Sequence, residues 1–125
     1  MAEVFQCKTS TNHYFLLDSD GPAVFKKDSY KDNYQLLPGS RIRIEQNNNT
    51  IRFIHSGRSR HISLDNPYHC RAIYHQTYQF DFNQNGEGTL KISSHYSHFV
   101  HHHAPTTRIS TSERPMLINL WCHQL

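Results

Sequence analysis

The chain has 125 residues and a formal net charge of +3 at pH 7, which is the size of a single domain. Only 36% of the residues are hydrophobic, but seven Tyr, seven Phe and one Trp supply enough apolar surface to exclude a disordered chain. No apolar run approaches the roughly 18 residues of a membrane span. We therefore predict one folded domain over residues 1–125 with no membrane partner.

Three short strands are predicted near the N-terminus. They cover residues 4–8, 13–17 and 22–26, where apolar side chains cluster. An Asp-Gly pair separates the second run from the third, and this pair is a strong hairpin signal between apolar runs. The third run opens on Pro22, which has no backbone N–H, so this strand is expected at a sheet edge.

Two segments have patterns that suit more than one structure. Tyr30, Tyr34 and Leu37 are spaced as on one face of a helix, so residues 28–37 form either one or two helical turns or a polar loop. Residues 68–76 follow an Asn-Pro pair that resembles a helix start. The same segment contains Ala-Ile-Tyr, which suits a strand, so both structures stay open there.

The clearest pattern lies between residues 40 and 64. Ile42 and Ile44 alternate with arginines, so one row of side chains faces a core and the other faces solvent. Turn-forming residues interrupt the stretch at 47–49 and again at 56–59. These features predict a three-stranded antiparallel meander with one apolar face and one arginine-bearing face.

A second hairpin is predicted from residue 78 onward. Tyr78, Phe80 and Phe82 alternate with polar residues, a Gly-containing turn follows, and Leu90 and Ile92 alternate on the return. The predicted core combines both alternating regions with the C-terminal apolar run. It consists of Ile42, Ile44, Ile51, Phe53, Ile62, Leu64, Tyr78, Phe80, Phe82, Leu90, Ile92, Ile118, Leu120 and Trp121.

The C-terminal third contains the remaining predicted strands. The return strand of the second hairpin can continue through the histidine-rich residues 95–103, and a short strand is possible at 108–111. Residues 116–122 are nearly continuously apolar and are expected to form a strand buried on both sides. Eight or nine short strands, with up to two short helices among them, predict a mainly-β domain that forms a small antiparallel β-barrel or sandwich. An α+β fold is the alternative.

Three cysteines are scattered along the chain. Cys7, Cys70 and Cys122 are odd in number and far apart, and the N-terminus lacks the basic-then-apolar layout of a secretory signal. Disulfides are rare in the cytosol. We therefore expect reduced thiols in a cytoplasmic protein.

Positive charge is concentrated in the predicted meander. Residues 40–64 contain five arginines and one acid, so the rest of the chain is close to neutral. Arginine forks match phosphates and carboxylates, which favours a non-catalytic binding or inhibitory module whose partner is a nucleic acid or an acidic protein surface. Arginines on an exposed strand also keep a sheet soluble without any partner. The expected binding residues are Arg41, Arg43, Arg52, Arg58 and Arg60.

Eleven histidines suggest a second class of function. A metal-independent ribonuclease or phosphodiesterase needs an acid, a base and a cation, and histidines with arginines suit that chemistry. Three His-x-Ser/Thr tripeptides begin at His61, His75 and His95, which are the candidate catalytic residues. About two such tripeptides are expected by chance in a chain this rich in Ser and Thr, so the motif carries little weight.

A metal site is the third hypothesis. His101 and His103 stand two apart, so on a strand both imidazoles share a face and can bind one ion. No acidic residue lies nearby to complete the ligand set, and no Cys-x-x-Cys is present. We therefore expect no cofactor.

Overall fold

The computed structural model describes six segments of the chain. These are residues 3–20, 23–37, 41–63, 69–101, 106–112 and 114–125. Within these segments, side chains are described for all residues except 41, 58–63, 69–74, 96–101 and 106–112.

The described segments contain strands and turns. The ten strands are β1 (Val4–Thr9), β2 (His13–Asp18), β3 (Ala23–Asp28), β4 (Gln35–Leu36), β5 (Arg41–Gln46), β6 (Thr50–Ser63), β7 (His69–Asn83), β8 (Glu87–His101), β9 (Thr106–Ser112) and β10 (Met116–Gln124). The predicted all-β class is confirmed. Helices are absent from these segments, so none there is long and apolar enough to cross a membrane.

Both predicted helical alternatives are wrong. Residues 69–83 form β7, which pairs along its length with β6 on one side and β8 on the other. Two flanking strands satisfy the backbone N–H and C=O groups of this segment, and they outweigh the local helix-start signal. Residues 28–37 contain turns and the two-residue β4, as the polar-loop alternative proposed.

All strands belong to one antiparallel sheet that curls into a half-barrel. Its strand order is β4-β3-β2-β1-β10-β8-β7-β6-β5. β9 lies off this path and pairs with the far half of β8, beyond the part that pairs with β10. β9 ends opposite His95 and β10 begins opposite Ile92, so the two strands follow one another along the same edge of β8.

The core fills the concave face of the sheet. Phe15 on β2 contacts Phe80 on β7 with ring centroids 5.0 Å apart, and Phe5 on β1 contacts Phe82 on β7 at 5.1 Å. These edge-to-face pairs join strands that are distant in the sheet order, so aromatic contacts across the core stabilise the curled sheet. The buried hydrophobic residues are Phe5, Cys7, Phe15, Leu17, Val24, Phe53, Tyr78, Phe80, Phe82, Leu90, Leu120 and Cys122.

Most of the predicted core is confirmed, with two exceptions. Ile44 is 37% exposed and Trp121 is 48% exposed, whereas both were predicted to be buried. Trp121 faces outward because β10 alternates, with Leu120 inside and Leu117 also outside. Residues 116–122 are therefore not buried on both sides, because the described residues form no second layer over this face. The other described members of the predicted core are buried or pack against it.

The predicted three-stranded meander is also wrong in one respect. β5 and β6 form the expected hairpin, but β6 continues through residues 56–59, where a turn was predicted. Gly57 pairs with Gln76 of β7, and a continuous partner strand outweighs the turn preference of Ser-Gly. Ile62 follows Phe53 by nine positions on β6, so the register places it in a row that alternates with the core row of Phe53, contrary to the prediction. Leu64 lies outside the described residues.

The first and last strands are neighbours in the sheet. Cys7 of β1 stands opposite Cys122 of β10, and the two form a disulfide with an S–S distance of 2.09 Å. The prediction of reduced thiols is therefore wrong for this pair. The pairing was not predicted because the two cysteines are 115 residues apart in the sequence, and their contact depends on which strands become neighbours.

Candidate functional site

The face of the sheet opposite the core carries the arginines predicted to bind a partner. Residues directly opposite one another on neighbouring strands share a face, and the face alternates along each strand. Arg43 pairs with Ile54, and Arg52 pairs with Glu45 and Asp81, both in rows that alternate with the row of buried Phe53. The side chain of Arg43 is 70% exposed and that of Arg52 is 45% exposed, as predicted.

Arg43 and Arg52 belong to a chain of ion pairs. Arg43 Nε lies 3.1 Å from Glu45 Oε1, and Arg52 Nη1 lies 3.6 Å from Glu45 Oε2. Arg52 Nε also donates to Asp81 Oδ1 at 2.6 Å, and this hydrogen bond, together with the Asp81 charge, raises the pKa of Arg52. The acids hold these guanidinium groups in place but offset part of their charge. Asp81 was missed because it is 29 residues from Arg52 in the sequence.

The backbone register brings the other predicted arginines to the same face. Arg41 stands opposite Ser56, Arg58 opposite His75 and Arg60 opposite Ile73. Each of these rows is an even number of positions from the Arg52 row, so the backbone places all three on the same face as that row. The side chains of these three arginines lie outside the described part of the chain.

Three cations that the sequence analysis missed occupy rows of the same parity. They are Arg71, Lys91 and Arg108, brought in by β7, β8 and β9. We call these rows the basic face: it consists of the odd-numbered positions of β5, β7 and β8 and the even-numbered positions of β6 and β9. It carries eight Lys and Arg residues against three acids, Glu45, Asp81 and Glu87. The alternate positions of the same five strands carry no Lys, Arg, Asp or Glu.

The three candidate catalytic histidines do not converge. His75 and His95 stand opposite each other on β7 and β8, with ring centroids 6.4 Å apart. His61 stands opposite Ala72, in a row of the opposite parity, and its side chain lies outside the described part. The structure therefore brings together one pair, on the basic face and in register with Arg58.

The metal-site hypothesis concerns residues at the limit of the described structure. His101 pairs with His69 at the far end of β7 and β8, and His103 lies outside the described residues. Among the side chains that are described, no three His, Cys, Asp or Glu residues come close enough to hold a metal ion.

Similarity to known proteins adds no information on the function of this site. No protein-family model, curated protein sequence or solved structure matches the chain. The function is therefore inferred from the chemistry of the site. The feature to be explained is the separation of charged residues onto one face of β5–β9.

Proposed function

We propose that the protein is a non-catalytic binding module that holds a single-stranded nucleic acid against its basic face. The observation that carries this proposal is the charge separation on β5–β9, where eight cations and three acids share one face and the alternate face has no charged residue. The need to keep charge out of the core explains why the alternate face has no charged residue, but it does not explain why cations outnumber acids on the basic face. The excess of cations over acids calls for an anionic partner.

The spacing of the arginines suits an extended polyanion. Residues two apart on a strand project from the same face about 6.6 Å from each other. Arg58 and Arg60 have this spacing on β6, and Arg52 stands in the same row six residues before Arg58. A planar guanidinium can bind two phosphate oxygens at once. The ion pairs of Arg43 and Arg52 restrict their rotamers before binding, which lowers the entropy lost on association.

Few aromatic residues occupy the basic face, and this affects what can be recognised. Phe99 is the one aromatic residue other than histidine at these positions of the described strands. Base stacking on aromatic rings would therefore contribute little, and most contacts would go to phosphates. We expect binding with weak sequence preference and strong dependence on salt.

The proposal predicts the effect of removing three cations. In the triple variant Arg58→Gln, Arg60→Gln, Lys91→Gln, the slope of log affinity for oligo(dT) against log salt should flatten by about 2, since each phosphate contact on a single strand contributes about 0.7. Fluorescence anisotropy across a salt series measures this slope. The matched control removes three lysines outside β5–β9, Lys8, Lys27 and Lys31, and should leave the slope nearly unchanged.

The result also separates the nucleic acid from the alternative partner. Equal slopes for the triple variant and the wild type would show that the basic face does not contact phosphates. An acidic protein partner would show a weaker salt dependence, mainly in the association rate. Replacing Arg41, Arg43 and Arg52 together is a less direct test, because the loss of Arg52 also breaks its ion pairs with Glu45 and Asp81 and leaves Asp81 with Gln79 as its remaining donor among the described residues.

A histidine-dependent ribonuclease is the second candidate, favoured by one observation. His75 and His95 lie 6.4 Å apart between ring centroids, in register with Arg58. Two imidazoles and a cation could move protons and stabilise charge during metal-independent RNA cleavage. If RNA is cleaved in EDTA and His75→Gln or His95→Gln lowers the rate by about 10²-fold or more, the module is catalytic.

The predicted cytoplasmic location needs a new basis. It was based on the absence of a secretory signal and of a membrane span, and reduced cysteines were expected in consequence, whereas Cys7 and Cys122 form a disulfide. Structural disulfides persist mainly in oxidising compartments. We therefore propose that the protein acts where this bond is maintained.

A further inference from the structure

The concave side of the half-barrel contains a cavity that the basic face does not use. Its volume is about 380 Å³, and it opens at the end of the core where β2, β7, β8 and β10 meet. Phe15, Tyr78 and Leu90 form its buried floor, and half-buried Ile92 and Ile118 form one wall. Cavities of this size with a mainly apolar lining are typical of small-molecule sites.

The rim of this cavity carries positive charge. His13, Lys26 and Arg114 line it, and none of the described residues that line it is an Asp or Glu. Within the described structure, Lys26 and Arg114 have no ion-pair partner, whereas His13 Nε2 lies 3.3 Å from Asp28 Oδ1. His13 Nδ1 also lies 2.9 Å from Thr11 Oγ1. None of the described acids therefore competes with a ligand for these two cations.

Lys26 occupies an unusual position for a lysine. It stands opposite Phe15, one of the most deeply buried residues, and two positions from buried Val24 on the same face of β3. A charged residue directed to the core side of a sheet is costly unless a partner compensates it. Arg114, between β9 and β10 in the chain, lines the same cavity.

Polar groups that line the cavity are held by hydrogen bonds. The Tyr78 hydroxyl donates to Gln76 Oε1 at 3.1 Å, and both residues line the cavity. Thr9 is buried, and its Oγ1 accepts a hydrogen bond from the His13 N–H at 3.1 Å. The lining therefore combines buried apolar residues with two cations, and a ligand with an alkyl chain and an anionic head group matches both.

We propose that this cavity binds a medium-chain fatty acid. The alkyl chain would lie on Phe15, Ile92 and Ile118, where it is removed from water. The carboxylate would lie between Lys26 and Arg114, which supply charge-assisted hydrogen bonds. This site is on the opposite face of the sheet from the basic face, so the proposal does not depend on nucleic-acid binding.

Calorimetric titration with decanoate, below its micellar concentration, tests the proposal. Decanoate should bind at one site per chain and at least ten-fold more tightly than decanol, which has the same chain without the charge. Lys26→Met keeps an apolar stem, and Arg114→Gln changes an exposed residue, so both variants should fold. Each should weaken decanoate binding about ten-fold and leave decanol binding unchanged.

Two controls make the result specific to this cavity. Arg43→Gln removes a cation from the basic face and should leave decanoate binding unchanged. Ile118→Phe adds volume within the cavity and should weaken decanoate and decanol alike, with thermal unfolding used to verify the fold. Absence of decanoate binding, equal affinity for decanoate and decanol, or full affinity in both Lys26→Met and Arg114→Gln would overturn the proposal.

Discussion

His55 is the one histidine in the described core. Its side chain is 1% exposed and packs against Tyr78 with ring centroids 6.3 Å apart. Its Nδ1 has no hydrogen-bond partner among the described atoms. Burial lowers the pKa of His55 below its ordinary value of 6.5, and the backbone groups of Leu37 and His55 oppose this shift only in part. The folded state therefore holds this imidazole neutral.

The lowered pKa makes the stability of the fold depend on pH. As the pH falls below about 6.5, the unfolded chain takes up a proton at His55 before the folded chain does, so protonation favours unfolding. The contribution of His55 to the free energy of unfolding should fall from pH 7 toward the lowered pKa and stay constant below it.

The substitution His55→Phe tests this prediction. Phe fills a similar volume without a titratable group, so the decline in stability between pH 7.5 and pH 5 should become shallower. Urea unfolding at several pH values measures it, and His123→Gln, at an exposed position, is the matched control. Parallel curves for wild type and His55→Phe would show that His55 contributes nothing to the pH dependence.

Where a strand was identified correctly, side-chain alternation predicted well which residues face the core and which face solvent. Phe53, Phe80 and Leu90 are buried as predicted, because period-two alternation is a local property. The facing of Trp121 was missed because a continuous apolar run does not show whether a second layer covers it. The Arg52–Asp81 ion pair was missed because it depends on the register between β6 and β7.

At the scale of strands, the turn between β7 and β8 depends on one glycine. Gly86 has a φ of 88°, in the region that favours glycine, and its N–H donates to Asn83 O at 2.9 Å. Its own carbonyl accepts a hydrogen bond from the Cys122 N–H at 2.7 Å. A Cβ at this position would collide with the carbonyl of Cys122. The turn therefore sets the contact between the hairpin and β10.

We predict that Gly86→Ala lowers the stability of the fold. The left-handed backbone costs about 1–2 kcal/mol for a residue with a Cβ, and the collision with Cys122 should raise the total to 2 kcal/mol or more. Asn85→Ala, an exposed change in the same turn, should alter stability by less than about 0.5 kcal/mol. Urea unfolding compares the two variants. A loss for Gly86→Ala no larger than that for Asn85→Ala would contradict this account.

Strand positions were more predictable than strand lengths. The first three strands, the β5–β6 hairpin and the β7–β8 turn were all predicted from local alternation and turn residues. The length of β6, β7 and β8 was not, since 14 to 15 residues per strand are sustained by pairing with neighbours rather than by local propensity. Ser-Gly at residues 56–57 shows the difference, because the same dipeptide would form a turn without β7 alongside.

At the scale of the whole molecule, the order of strands was the part that sequence could not supply. β1 and β10 pair although they lie at opposite ends of the chain, and β8 pairs with β10 and β9 along one edge. These pairings decide which charges share a face. Five arginines were candidates from the sequence, and the register added Arg71, Lys91 and Arg108 to them. The cavity with Lys26 and Arg114 depends on the curl of the sheet, which no local pattern encodes.

The Cys7–Cys122 disulfide fixes the pairing of β1 with β10. Both cysteines are buried in the core, on adjacent strands, and they are 115 residues apart in the sequence. A bond that closes so long a loop restricts the unfolded chain strongly, by about 4–5 kcal/mol in the chain-entropy treatment. The bond therefore connects the two halves of the sheet and also disfavours the unfolded state.

Loss of this bond should destabilise the protein by up to about 4–5 kcal/mol. In urea without reductant, a thiol assay should find one reactive thiol per chain, and three after reduction. The double variant Cys7→Ala, Cys122→Ala should unfold at lower urea concentration than the wild type, and reductant should no longer change its midpoint. Cys70→Ala is the control, because it removes a thiol without breaking the bond, so its midpoint should still fall on reduction. Three reactive thiols in the unreduced wild type would show that the bond does not form in solution.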